Sequence, residues 1–193
     1  MTVLLTFPPA QLAGQLDGSR PDMHASSPDF DSTFFRSALG RFPTGVTVIT
    51  ASLPGQAPVG LTASSFNSVS LDPPLVVWSL SRNSSSLATI QQCKRYVIQV
   101  LASDQMMIAQ RFSKGTAAER FSGVPLTTAP NGSPRLQADC AAWFECSNRS
   151  QYEEGDHIIF VGEVEHCARN DSLPLIYHAG GYDLTPPPET KKP

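Results

Sequence analysis

The chain has no basic run: 14 Lys and Arg against 17 Asp and Glu leave a formal charge of −3. Without a clustered positive face it has no electrostatic footprint for nucleic acid, and no such partner is expected. No stretch approaches the ~20 apolar residues of a membrane span. The start, Met1-Thr2-Val3-Leu4-Leu5-Thr6-Phe7-Pro8-Pro9, lacks the basic residues and long apolar stretch of a secretion signal, so a cytoplasmic location is expected. Cys93, Cys140, Cys146 and Cys167 form no CxxC pair and sit in or beside apolar runs. Buried, reduced thiols and no metal site are expected. GxGxxG, GxxxxGK[ST] and a nucleophile elbow are also missing, which removes a Rossmann unit, a P-loop and an α/β-hydrolase triad from consideration.

What the chain does have is a core. Of its 193 residues 40% are hydrophobic and 16% charged, which fits one domain. Its organising stretch runs from Val59 to Ile90. The small-residue strand Val59-Gly60-Leu61-Thr62-Ala63 passes into a hydroxyl-rich loop, Ser64-Ser65-Phe66-Asn67-Ser68. Asp72-Pro73-Pro74 breaks the chain, because proline lacks an N–H and restricts the residue before it. The strand Leu75 to Leu80 follows, and the turn Ser81-Arg82-Asn83-Ser84-Ser85-Ser86 opens a helix at Leu87. Two strand ends rich in short hydroxyl donors, with helix amides beside them, suit a phosphorylated ligand carrying a polar heterocycle.

Elsewhere the pattern predicts residues 1–30 as a flexible extension, or an arm packing on a partner subunit, and 185–193 as a disordered or extended tail. A helix capped by Asp31 or Ser32 carries Phe34, Phe35, Ala38 and Leu39 on one face and stops at Gly40. Strands are predicted over 46–50, 96–101, 141–146 and 156–164, with a turn at Gln151 to Gly155. Ser103 is placed as the cap of a helix from Asp104 to about Phe112, and Phe121 to Arg135 reads as loop. Many strands with few short helices argue for an antiparallel barrel with peripheral helices over 31–184. Asp156, Glu163 and Glu165 read as solvated faces.

GLTASSFNSVSLDPPLVVWSLSRNSSS resembles the signature of the flavin reductase-like family, small reductases built on an FMN-binding split barrel. The likeness runs from about Phe34 to Tyr182. It is supported by Gly40-Arg41-Phe42-Pro43-Thr44-Gly45-Val46, by Gly155-Asp156-His157 and by His178-Ala179-Gly180-Gly181-Tyr182. It implies a mainly β split barrel, a homodimer with flavin near the subunit interface, and hydride transfer from NADH or NADPH to FMN or FAD. Reduced flavin would then pass to a separate monooxygenase.

By the same resemblance Thr62, Ala63, Ser64 and Ser65 hold the isoalloxazine and ribityl groups, and Ser79 and Leu80 line the flavin. Ser84, Ser85 and Ser86 hold its phosphate, with Arg82 as an additional candidate. Pro43, Thr44 and Gly45 pack near the ring. His157, His178, Gly180 and Tyr182 contact the nicotinamide. Each has an ordinary structural alternative: serines cap helices and make turns, and a histidine at a strand start is commonly structural. No catalytic side chain is expected, since the cofactors carry the hydride chemistry. Two other readings stay open, a non-catalytic FMN electron-transfer module and an oxidase of the pyridoxamine-phosphate type. The residues decide neither FMN against FAD nor NADH against NADPH; Arg41, Arg82, Lys114 or Arg149 could each meet a 2′-phosphate.

Overall fold

The computed structural model describes residues 29–184. The tail and all but the last two residues of the extension lie outside that range. In chain order the elements are α1 Ser32–Leu39, β1 Thr44–Gly45, β2 Thr47–Ala51, β3 Val59–Ala63, β4 Asn67–Leu71, β5 Pro74–Ser81, α2 Leu87–Gln92 and β6 Arg95–Val100. Then come α3 Met106–Phe112, α4 Ala117–Phe121, β7 Leu126–Thr128, β8 Pro134–Leu136, β9 Ala142–Glu154, β10 His157–Arg169, β11 Leu175–His178 and β12 Gly181–Leu184.

Seven strands form one antiparallel sheet in the order β3-β2-β6-β9-β10-β5-β4. The sheet curls on itself. Ser65, just past β3, donates its hydroxyl to the Ser79 carbonyl in β5 (3.1 Å) and accepts from the Ser79 amide (2.9 Å). This is the antiparallel split barrel, with helices at its periphery. Strand β2 is buried along its whole length, because one face looks into the barrel and the other is covered by α3 and β11. Inside, Trp78 stacks on Phe160 at 4.6 Å between centroids and meets Tyr96 edge-on at 5.5 Å. A second cluster, built on Val46, Val48, Leu101, Phe112 and Leu175, lies on the outer side of β2.

Several expectations are corrected. Asn67 and Ser68 belong to β4 rather than to a loop; this edge strand is mostly polar and exposed, so its alternation carries little hydrophobic signal. Ser103 caps nothing: α3 starts at Met106, and the Gln105 side chain accepts the Ala102 amide (2.9 Å). The segment read as loop contains the end of α4 and the β7–β8 hairpin. Strands β9 and β10 outrun their expected lengths, and their turn is Gly155-Asp156, with Gly155 at φ +59.

Three cysteines are buried as expected, but Cys167 is exposed. Burial raises the Cys140 thiol to about 11 and, with Glu165, Glu145 and Cys167 nearby, Cys146 to about 12. One thiol, Cys167, is therefore expected to react with a disulfide reagent in the folded protein at pH 8, and four in urea. Fast reaction of a second thiol before unfolding would contradict the packing.

Candidate active site

Two cavities meet beside the open ends of β3 and β5. The larger, of ≈ 720 Å³, is walled on one side by Ser81 at the end of β5 and by Asn83, Ser84 and Ser85 from the turn after it. Thr62 and Ser64 at the end of β3 form another wall, and Phe112, Ser113 and Arg120 a third. Val46, Leu61, Tyr177, Gly180 and Tyr182 complete the lining. A neighbour of ≈ 600 Å³ shares Ser64, Tyr177 and Gly180 with it and continues past Thr44 and His178 to α1 and the turn after it.

The walls follow from local sequence. Gly60 in β3 lies under two aromatic rings: a Cβ there would stand 2.9 Å from Phe112 Cε1 and from Phe121 Cζ. Its missing side chain lets α3 and α4 settle on the strand. Thr116 and Glu119 form a capping box at the start of α4, each side chain accepting from the other's backbone amide. Arg120 follows directly. It donates to the carbonyls of Gly60 (2.7 Å) and Lys114 (3.1 Å) and has no carboxylate partner among the described residues. Burial lowers its pKa, the mark of a cation losing water without gaining a counter-ion.

Beneath the shared boundary Ala179 and Gly180 both adopt positive φ, +50 and +84, making the tight turn between β11 and β12. Ala179 is the one non-glycine described residue with positive φ, and such strain concentrates at functional sites. Its amide donates to the Gly40 carbonyl (2.9 Å), tying this turn to the end of α1. Tyr177 and Tyr182 meet at 5.4 Å, and burial, with Tyr177 beside it, raises the Tyr182 phenol.

The cavities thus gather Thr44, Thr62, Ser64, Ser84, Ser85, His178, Gly180 and Tyr182 from the expected set. Pro43, Gly45, Ala63, Ser65, Ser79, Leu80, Ser86 and His157 lie outside their linings. Ser65 and Ser79 bond each other at the barrel seam, and Leu80 and Ser86 are buried. The Thr62 hydroxyl is committed to the Ala109 carbonyl (2.7 Å). His157 pairs with Asp156, Nδ1 to Oδ1 at 2.7 Å, and holds that carboxyl below its ordinary range. In register it lies beside Ser81, one strand away from the cavity. Arg82 points away, in an exposed ion pair with Glu153 (3.0 Å). The cation at the cavity is Arg120, which sequence reading missed; the T-A-A-E box at Thr116–Glu119 marked its helix, but only tertiary packing brings it to the serine turn.

The flavin reductase like domain family matches residues 39–185. The chain belongs to the flavin reductase-like family. It is 39% identical over 163 residues to the FMN reductase (NADH) SmoA of Agrobacterium fabrum, covering 84% of this chain and 91% of that one. It is 42% identical over 153 residues to the stachydrine N-demethylase reductase subunit Stc3 of Rhizobium meliloti, covering 79% of this chain and 66% of that protein. The chain therefore spans just under two thirds of Stc3. Among solved structures, the NADH:FAD oxidoreductase SgcE6 of Streptomyces globisporus, in complex with NAD and FAD fragments, matches with a TM-score of 0.77 at 31% identity. That match covers 83% of this chain and 96% of SgcE6. In this flavin reductase-like chain the two cavities share Ser64, Tyr177 and Gly180.

Proposed function

We propose that the protein is an NAD(P)H-dependent flavin reductase acting on FMN or FAD and handing the reduced flavin to a separate monooxygenase. The observation that carries this reading is the junction at Ser64, Tyr177 and Gly180, where two cavities open onto each other. The residues present fit a flavin. Short hydroxyls and an amide side chain line the larger cavity together with a guanidinium that has no carboxylate partner among the described residues. Ser81, Asn83, Ser84 and Ser85 would donate to the phosphate and Arg120 would balance its charge. Tyr177 and Tyr182 would cover the ring system and exclude water, while Gly180 leaves room for backbone approach. A bound flavin supplies the hydride acceptor, N5, for a nicotinamide held in the adjoining cavity. No side chain is required to move a proton in that transfer, so the protein's contribution is alignment and electrostatics.

A homodimer belongs to the same proposal. Helix α1 buries none of its residues and leaves Phe34 67% and Leu39 59% exposed, with Phe42 beside them at 72%. A second copy would cover that face. The monooxygenase partner is supported by the relative HsaB of Rhodococcus jostii, 35% identical over 161 residues, which is named the reductase subunit of a flavin-dependent monooxygenase. A cytoplasmic location is likewise part of the proposal. Among the described residues no helix is long and apolar enough to cross a membrane.

The test follows absorbance at the NADH band with FMN or FAD added separately. Consumption that saturates with added flavin is expected. Bound flavin with neither NADH nor NADPH consumed would overturn the reading.

A further inference from the structure

A third cavity, of ≈ 400 Å³, lies against another face of α3. Its volume falls in the range of about 300–1,000 Å³ common to small-molecule sites. Met107 and Ile108 of α3, with Val124 and Pro125 from the segment after α4, give it apolar walls. Arg111 and Lys114 line it as well, and no described Asp or Glu does. Glu119 of α4 spends its carboxylate on Thr116, accepting from the amide (2.7 Å) and the hydroxyl (2.8 Å). The Arg111 guanidinium donates to the Ser122 carbonyl, a neutral acceptor, and the Lys114 ammonium has no partner among the described residues. By contrast Arg82, Arg95, Arg149 and Arg169 each hold a carboxylate. Apolar walls beside two uncompensated cations are complementary to a compact ligand that is mostly apolar and carries one anionic group. None of the lining residues belongs to α1 or the turn after it, the face assigned above to a second copy.

We propose that this cavity binds a small aromatic or alicyclic carboxylate, and that its occupant tunes the hold on flavin. The tuning rests on the flavin-binding part of the reading above. Lys114 belongs to both places: its side chain lines the third cavity, while its carbonyl accepts from Arg120 (3.1 Å), which lines the larger one. Helix α4 is tied on both sides, through Arg120 to the Gly60 carbonyl and through Ser122 to Arg111. Ile108 and Val124 pack against the same apolar cluster as Tyr177 and Tyr182, a cluster that contains Phe112. A carboxylate beside Lys114 lowers the positive potential that Arg120 offers a flavin phosphate, so each ligand weakens the other. Linkage makes the factor equal in both directions.

Naphthoate serves as the probe and naphthamide as its uncharged counterpart, with binding to the full-length protein read by calorimetry. Naphthoate is expected to bind saturably, one per chain, and roughly fivefold or more tighter than naphthamide, a margin that narrows as salt is raised. Lys114 and Met107 are exposed, so their replacement leaves the core intact. Lys114→Gln should weaken naphthoate by about five- to tenfold and Met107→Ser by about threefold. Arg169→Gln removes an exposed cation elsewhere and should change it by less than about twofold. As FMN is added, the apparent Kd for naphthoate should climb roughly two- to fivefold and then level off. No saturable binding, or equal binding of naphthamide, overturns the site. So does an equal loss in the Arg169 variant, which reduces binding to general charge attraction. A Kd that climbs with FMN without limit also overturns it, by placing the probe in the flavin cavity. A Kd indifferent to FMN overturns the tuning. None of these readouts uses NADH, so a chain that binds flavin but consumes neither NADH nor NADPH overturns the reductase reading alone.

Discussion

Arg120→Ala is expected to weaken FMN binding by roughly 10–100-fold, the range of one or two charge-assisted hydrogen bonds to phosphate. The guanidinium is fixed by the Gly60 and Lys114 carbonyls and faces the serine turn across the larger cavity. Having no carboxylate partner among the described residues, it gains most from a dianionic ligand. Riboflavin has the ring and ribityl chain but no phosphate, so its affinity should change by less than about twofold, as for a contact it never made. Arg120→Lys keeps the charge without the fork and should fall between. Fluorescence titration with both ligands checks this well below the melting temperature, because the Gly60 carbonyl loses a donor in the variant. Equal losses for FMN and riboflavin would show that Arg120 shapes the cavity rather than reads phosphate.

Gly162→Ala has the largest expected effect on stability. Gly162 is buried in β10 next to a bulge in the β9 pairing. A Cβ there would collide with the Tyr96 hydroxyl and reach 3.0 Å from Cys146 Cβ. Neither neighbour can give easily: Tyr96 and Cys146 are fully buried, and Tyr96 is wedged edge-on against Trp78. Overpacking at such a site costs about 1–3 kcal/mol, a fall in Tm of roughly 3–10 °C for a domain of this size. Tyr96→Phe removes the colliding oxygen, so the double variant should recover part of the loss, a non-additivity that urea denaturation reads directly. Full additivity would place the strain elsewhere.

How far these residues could be read beforehand depended on the kind of signal each carries. Strand β3 was legible to the residue, because Val59 to Ala63 is bounded by turn residues on one side and serines on the other. Strand β5 was legible too, since its alternating burial shows in the sequence as an apolar run. The cap was legible to within one residue, Asp31 or Ser32, and it is the Asp31 carboxylate that accepts from Phe34 N at 2.7 Å. Strand β4 was hidden because an exposed edge strand needs no hydrophobic period. Helix α4 is five residues long, too short for a periodic pattern, although its capping box was visible.

The site divides in the same way. The serine turn was legible as a local motif and lines the larger cavity, whereas His178 to Tyr182 was reached only through the family resemblance, and the Ala179–Gly180 turn with the strands on either side of it was not read. Which cation faces the serines was not legible. Arg82 is adjacent in sequence but turns outward to Glu153, whereas Arg120 arrives from 34 or more residues further on through packing against Gly60. Likewise nothing local separates Ser65 and Ser79, spent on closing the barrel, from Ser84 and Ser85, left facing the cavity. Hydroxyl content predicts donors; only topology decides which of them are already taken.

The proposed function requires nicotinamide and flavin to occupy adjoining cavities and exchange a hydride directly. The most direct measurement mixes flavin-loaded protein with NADH under anaerobic conditions and follows loss of the oxidised flavin absorption in a single turnover. It is repeated with NADH deuterated at each face of C4. Bleaching that slows with one of the two deuterated forms is the result expected of direct transfer across the Ser64–Tyr177–Gly180 boundary. Flavin that binds but keeps its oxidised spectrum with NADH and NADPH alike would contradict the account.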